Sequence, residues 1–291
     1  MNDYLIYTDA SADIAPSVIE KYDIRFVAIN YTVGEEERLC TNLEEPSFLK
    51  KFYDAQREGK ETHTSQVPPH SYIETFAPLL KEGQSVLYLS LSSGLTKTYD
   101  SVCLAASELA EEYSGAKVVA VDTLCATGGM GLLLEAAAEN RAAGMSIEEN
   151  AGWLNEHRLE VSHWFMVDDL MYLKRGGRIP ATTAVLGTAL NIKPILKIDE
   201  EGKLVTLEKK RGHKLALKEL ANKYATTRDE SKNRVYIVHG DCPERADELE
   251  QMLREINPEA DITKMMLCPI IGAHTGPGML AAIFFGNRSS Q

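Results

Sequence analysis

Hydroxyl groups, backbone donors and a few cations recur where apolar runs of this chain end. Thr64, Ser65 and Gln66 stand together in H-T-S-Q-V-P-P (63–69), just ahead of a helix expected from about Pro69. The stretch S-S-G-L-T-K-T (92–98) follows the apolar run S-V-L-Y-L-S-L and puts hydroxyls at four of seven positions, more than one helix cap requires. K-R-G-G-R (174–178) sets guanidinium groups on both sides of a Gly-Gly turn, and G-A-H-T-G-P-G (272–278) holds His274 in what reads as a flexible loop. Neutral hydroxyls, amides near helix N-termini and an arginine or two make a set that binds an anion. It has no obvious means of cleaving anything. The serines lack a G-x-S-x-G elbow, no H-E-x-x-H pattern suggests a metal, and neither G-x-G-x-x-G nor a P-loop is present. The glycines of T-G-G-M-G (127–131) therefore read as places of close helix packing, and T-D-A-S-A-D (8–13) as a strand-to-helix turn whose Ser11 or Asp13 caps a helix begun near Pro16.

Positioning such groups requires strands that end at a common edge. The first half alternates apolar runs (Y-L-I-Y-T-D-A, I-R-F-V-A-I-N-Y-T-V, S-V-L-Y-L-S-L, K-V-V-A-V-D) with helical stretches, among them about 98–113 and 129–141. That alternation predicts a mostly parallel sheet covered on both faces, a Rossmann-like arrangement whose ligands gather at the carboxyl ends of strands. The second half reads differently. N-I-K-P-I-L-K-I-D, an E-E-G-K turn and K-L-V-T-L-E-K-K form a hairpin with alternating side chains, and V-Y-I-V-H-G-D, D-I-T-K-M-M-L and G-M-L-A-A-I-F-F-G supply further strands around a helix from about Pro243 to Ile256. We expect two α/β domains, 1–160 and 161–291, the second with a largely antiparallel sheet.

Composition bounds the partners. A chain of 291 residues with 44% hydrophobic and 25% charged residues is globular in character, and a formal charge of −12 argues against a nucleic-acid surface. Residues 171–218 run against that charge, with eleven Lys or Arg to four Asp or Glu, which suits a solvated face or a dock for an acidic partner. Five scattered cysteines without a C-x-x-C pair fit a reducing compartment and neither a disulfide framework nor a zinc site. With no long apolar stretch or basic leader, the expected location is cytoplasmic, without stable membrane insertion.

Taken in order, T-D-A-S-A-D-I, H-T-S-Q-V-P-P, L-S-S-G-L-T-K-T-Y-D-S, D-T-L-C-A-T-G-G-M-G, D-D-L-M-Y-L-K-R-G-G-R-I, L-N-I-K-P-I-L, K-K-R-G-H-K-L-A-L and I-I-G-A-H-T-G-P-G-M-L resemble the DegV family, bacterial fatty-acid-binding proteins of the FakB type, from residue 5 to residue 286. Lys97 stands where that family commonly has glycine, and Ala10 where it has serine. The resemblance implies two α/β domains with a long-chain fatty acid buried between them and no metal or cofactor. By the same resemblance Thr64 and Ser65, with Ser92 or Ser93, hold the carboxylate, His274 lies close by, and Arg178 and Arg211 present the head group or meet a partner. That partner is a separate ATP-dependent fatty acid kinase, FakA-like, which makes an acyl phosphate for phospholipid synthesis, so the chain is a carrier and not the catalyst. The 272–278 loop then sits at the mouth, with M-L-A-A-I-F-F in the sheet behind the ligand. An enzyme acting on a small anionic or phosphorylated substrate is the alternative, with His274 as acid/base and Arg178 as oxyanion clamp; it calls for a compact, wet pocket. A ligand-sensing regulator is a weaker third reading, without a DNA-binding segment to support it.

Overall fold

The computed structural model describes residues 4–41, 45–180 and 191–288. In the first half the elements are β1 (Tyr4–Asp9), α1 (Pro16–Tyr22), β2 (Ile24–Val27), β3 (Ile29–Val33), β4 (Glu36–Cys40), α2 (Pro46–Arg57), β5 (Thr62–Thr64), α3 (Pro69–Lys81), β6 (Ser85–Ser90), α4 (Thr98–Glu112), β7 (Val118–Asp122), α5 (Gly128–Ala142) and α6 (Ile147–His157). A short 3-10 turn (Arg158–Glu160) leads into β8 (Val161–Met166), α7 (Leu170–Arg175), β9 (Ile192–Ile198), β10 (Leu204–Arg211), α8 (His213–Thr227), β11 (Arg234–His239), α9 (Pro243–Ile256), β12 (Asp261–Met266), α10 (Pro269–Thr275) and β13 (Leu280–Phe285).

The first sheet runs β2-β1-β6-β7, with every pair parallel. Its strands are near-continuous apolar runs because helices cover both faces. The run 24–33, read above as one strand, is two. β2 joins this sheet, whereas β3 turns away to pair antiparallel with β4 and β5 in a separate three-stranded sheet. β3 buries Ile29, Tyr31 and Val33 and exposes Asn30, the period of a half-buried strand.

The second sheet runs β10-β9-β8-β13-β11-β12 and is antiparallel except for the β11–β12 pair. Alternation along β8 and β13 sends Trp164, Met166, Leu280, Ala282 and Phe284 into a core with α8 and α9. The residues between them face the first sheet. Helix α5 lies between the two sheets and approaches the second one closely: a Cβ on Gly131 would lie 2.6 Å from the Tyr236 ring of β11, and 2.4 Å from the Asp13 carbonyl, so only glycine fits.

The turn after β1 serves packing and not capping. Helix α1 begins after Ala15 with no side-chain cap, because Asp13 accepts from the Thr127 hydroxyl and the Cys268 amide (2.9 Å), while Ser11 donates to Asp9. Asp9 is wholly buried, and that burial raises its pKa against the opposing hydrogen bonds from Ser11 and Tyr88. Two contacts tie the halves together at the far side. Ser92 Oγ donates to the Gly202 carbonyl (2.8 Å) at the tip of the β9–β10 hairpin. Arg288, 1% exposed, donates to the carbonyls of Val161 (2.5 Å), Leu124 (2.7 Å) and Asp199 (3.1 Å) and to Cys125 Sγ (2.8 Å). Among the described residues no helix is long and apolar enough to cross a membrane.

Candidate ligand-binding site

Between the inner face of the second sheet and the loops of the first lies a cavity of about 380 Å³. Most of its wall is apolar, with Phe165, Ile198, Leu204, Ile270, Ala281 and Ile283 prominent. One end is polar.

At that end the three-stranded sheet sets the geometry. Thr64 closes β5 opposite Tyr31, and the Ser65 amide donates to the Asn30 carbonyl (2.9 Å). The Gln66 side chain donates to the Lys97 carbonyl (3.1 Å) and Ser101 Oγ (2.7 Å), which fastens the first hydroxyl loop to the second. Thr98 opens α4, with its Oγ1 3.0 Å from that of Thr96. His274 is in the last turn of α10 and not in a flexible loop; Gly276 and Gly278, with φ of 74° and 83°, turn the chain from that helix into β13. Its Nε2 lies 2.8 Å from Thr64 Oγ1. Gly176 packs against its other nitrogen, where a Cβ would come within 2.4 Å.

Charge at this end is unbalanced. Arg178 is half-buried, donates to the Gly176 carbonyl, and has no carboxylate partner among the described residues; burial lowers its pKa. Burial, helped by the Arg178 cation, holds the His274 pKa at about 3. The imidazole is therefore neutral at pH 7, which leaves Arg178 as a cation without an acidic partner among the described residues, beside neutral hydroxyls. Such a group binds no proton in the folded protein until pH nears 3, whereas the unfolded chain takes one below about 6.5. Stability is thus full above pH 6.5 and falls on acidification from there toward pH 3, by at most about 1.4 kcal/mol per pH unit for this group. His163 and His239, whose pKa values burial also lowers, act in the same direction. Denaturant titrations of ligand-free protein between pH 7 and 4 should show this slope, and His274→Gln should flatten it; an unchanged slope would count against a neutral His274.

Of the residues singled out in the sequence, Thr64, Ser65, Arg178 and His274 line the cavity together. Ser92 and Ser93 do not. The Ser92 hydroxyl is held by Gly202 and by the Gly94 amide (3.1 Å), and Ser93 is exposed, its amide donating to Asp122 (3.1 Å). Arg211 is exposed at the end of β10, away from the cavity wall. Thr96, Lys97 and Thr98 of the same loop line the cavity in place of the serines, together with Gln66. Their signal was the surplus of hydroxyls, and residues at the start of the helix have the better aim into the crevice. Beyond the Thr64–His274 pair lies a second chamber of about 120 Å³, bordered by Thr64, Arg178 and His274 and also by Glu61, His63, Tyr172 and Arg175. Arg175 stacks over the Tyr172 ring at 4.6 Å and, like Arg178, has no carboxylate partner among the described residues.

The site is thus a mainly apolar cavity with one polar end, set between a parallel and a largely antiparallel sheet of an α/β protein. A family model described as "Uncharacterised protein, DegV family" matches residues 4–287, and the chain belongs to the DegV family. It is 38% identical over 291 residues to a DegV domain-containing protein of Clostridium perfringens, covering 99% of each chain. Among solved structures it superposes with a TM-score of 0.84 on a Thermotoga maritima protein reported to reveal fatty acid binding function, at 32% identity over 98% of this chain and 100% of the other. The Streptococcus pneumoniae Fatty Acid Kinase B3 protein loaded with linoleic acid matches in fold, with a TM-score of 0.85 at 19% identity over 98% and 100% of the two chains.

Proposed function

We propose that this protein holds a long-chain fatty acid in the cavity and presents its carboxylate to a separate ATP-dependent kinase. The observation that carries the reading is Arg178, a half-buried cation without an acidic partner among the described residues, at the polar end of an otherwise apolar cavity. A fatty acid supplies what each end lacks. About fourteen methylenes at roughly 0.8 kcal/mol each gain on the order of 11 kcal/mol on leaving water. The carboxylate meets Arg178 and the hydroxyls of Thr64, Ser65, Thr96 and Thr98, which satisfy it in a partly buried position. The fatty-acid-binding Thermotoga maritima relative supports the ligand, and the kinase name of the Streptococcus pneumoniae neighbour supports the partner. In the kinase step a carboxylate oxygen bonds to the γ-phosphorus of ATP while the bond from that phosphorus to the ADP oxygen breaks, giving acyl phosphate and ADP. The second chamber shares Thr64, Arg178 and His274 with the cavity, so a carboxylate held there would border it, the side from which a phosphoryl donor would come. The small-anion enzyme would need His274 as acid/base, a role that its lowered pKa does not favour.

Native mass spectrometry of freshly purified protein tests the carrier role: one fatty acid per chain is expected, and an empty protein that also refuses added oleate and palmitate would end it. Arg178→Ala should weaken oleate binding about 10- to 100-fold, the worth of one charge-assisted hydrogen bond. Loaded protein, ATP and the kinase together should give acyl phosphate, trapped by hydroxylamine as a hydroxamate; no hydroxamate with any kinase encoded beside a fatty-acid-binding homologue would remove the partner half of the proposal.

A further inference from the structure

The sheet side of the cavity is a ladder of side chains two residues apart. Register sets Ala281 opposite Phe165 and Ile283 opposite His163 across β13 and β8. On the other side of β8, Phe165 faces Leu196 and Trp164 faces Lys197, so Ile198 comes level with His163 on the cavity face. Each step of two residues advances about 6.6–6.8 Å along a strand. Both polar groups of the head end attach at one edge of this sheet: Arg178 follows α7 just beyond the end of β8, and His274 precedes the start of β13. The Phe165–Ala281 rung is therefore nearer the head end, and the His163–Ile283–Ile198 rung lies farther down, where a tail would end.

His163 differs from its neighbours on that rung in being fixed from behind. It is 3% exposed, and its Nε2 lies 3.2 Å from the Ala126 carbonyl oxygen and 3.4 Å from the Ala126 amide. Gly129 of α5 faces the ring so closely that a Cβ there would fall 1.9 Å from Nε2. The ring has no room to retreat, and its front lines the cavity. A side chain that cannot swing aside is a fixed stop, whereas an isoleucine on the same rung can change rotamer.

Resting on the fatty-acid reading above, we infer that His163 is the tail stop, the residue that fixes how long an acyl chain the cavity accepts. Removing the ring deepens the cavity. Pushing the ring forward shortens it, and Gly129→Ala does so with a substitution that suits a helix.

The test uses delipidated wild type, His163→Ala and Gly129→Ala, each equilibrated with an equimolar mixture of even-numbered saturated acids from lauric to arachidic, with bound species read by native mass spectrometry. At the long end, where the last two methylenes find no room in wild type, His163→Ala is expected to raise the ratio of each acid to the one two methylenes shorter on the order of tenfold. Gly129→Ala is expected to lower it on the same order. Shifts of opposite sign in the two variants support the stop; a length profile unchanged in both, or moved the same way in both, overturns it. If His163→Ala does not fold, the profile of Gly129→Ala decides alone, and no shortening overturns the stop. Wild type that takes up none of the acids would instead overturn the fatty-acid reading, and the stop with it.

Discussion

Ala281→Phe is expected to abolish uptake of long-chain acids while leaving the protein folded. Ala281 is 1% exposed and stands on β13 opposite Phe165, on the rung between the polar end and His163. A phenyl ring added there crosses the cavity. A chain that reached only as far as this ring would leave about six methylenes without a site, roughly 5 kcal/mol, or a loss of three to four orders of magnitude in affinity. Most large substitutions in a core strain their neighbours, but here the new atoms enter space that is already open, so thermal stability of the ligand-free protein should hold or rise. Oleate titration with a parallel thermal melt separates the two effects. Ala281→Phe carrying a full complement of eighteen-carbon acid would mean that the tail does not run past this rung.

Arg288→Ala is expected to cost about 3–5 kcal/mol of stability, on the order of 10 °C in melting temperature. The side chain is fully buried and has no carboxylate partner among the described residues; its donors go to three backbone carbonyls and one cysteine sulfur. Those carbonyls belong to Leu124 in the first half and to Val161 and Asp199 in the second. Truncation would leave them without this donor and open a void. Arg288→Met keeps most of the volume and removes the buried charge along with its bonds, so it should recover part of the loss. Denaturant unfolding of both variants checks this, and an Arg288→Ala protein as stable as wild type would show that the contact carries no load.

Much of the fold was legible because local pattern and final burial agree. β1, β6 and β7 are apolar runs ending at Asp or Ser, and α9 starts and stops at the proline and isoleucine the pattern marked. Where sequence reading went astray, a distant contact decided. Ile24 to Val33 looks uniform, yet β2 and β3 belong to different sheets, a choice of partner that no local period encodes. His274 read as a loop residue because Gly272 interrupts α10, but that glycine is what lets Tyr53 pack there: a Cβ would lie 2.5 Å from the Tyr53 hydroxyl. Ser92 looked as available as Thr96 or Thr98. The Gly202 carbonyl, 110 residues away in sequence, takes its hydroxyl. The hydroxyl loops and cations of the site could be listed from the chain alone, whereas the rungs of the cavity wall could not, since alternation tells which residues share a face and register tells which stand level.

The meeting of two chambers at Thr64, Arg178 and His274 bears on time as well as on binding. On the proposed fatty-acid reading, a tail on the apolar side would set how long the lipid stays, because dissociation has to expose each methylene to water again, and affinity is expressed mainly in the off-rate. A head group held at these residues would border the second chamber as well, so its reaction would not have to wait for that release. Residence of the cargo and speed of its chemistry would then be governed from opposite ends of one molecule, and a carrier built this way could bind almost irreversibly without becoming slow.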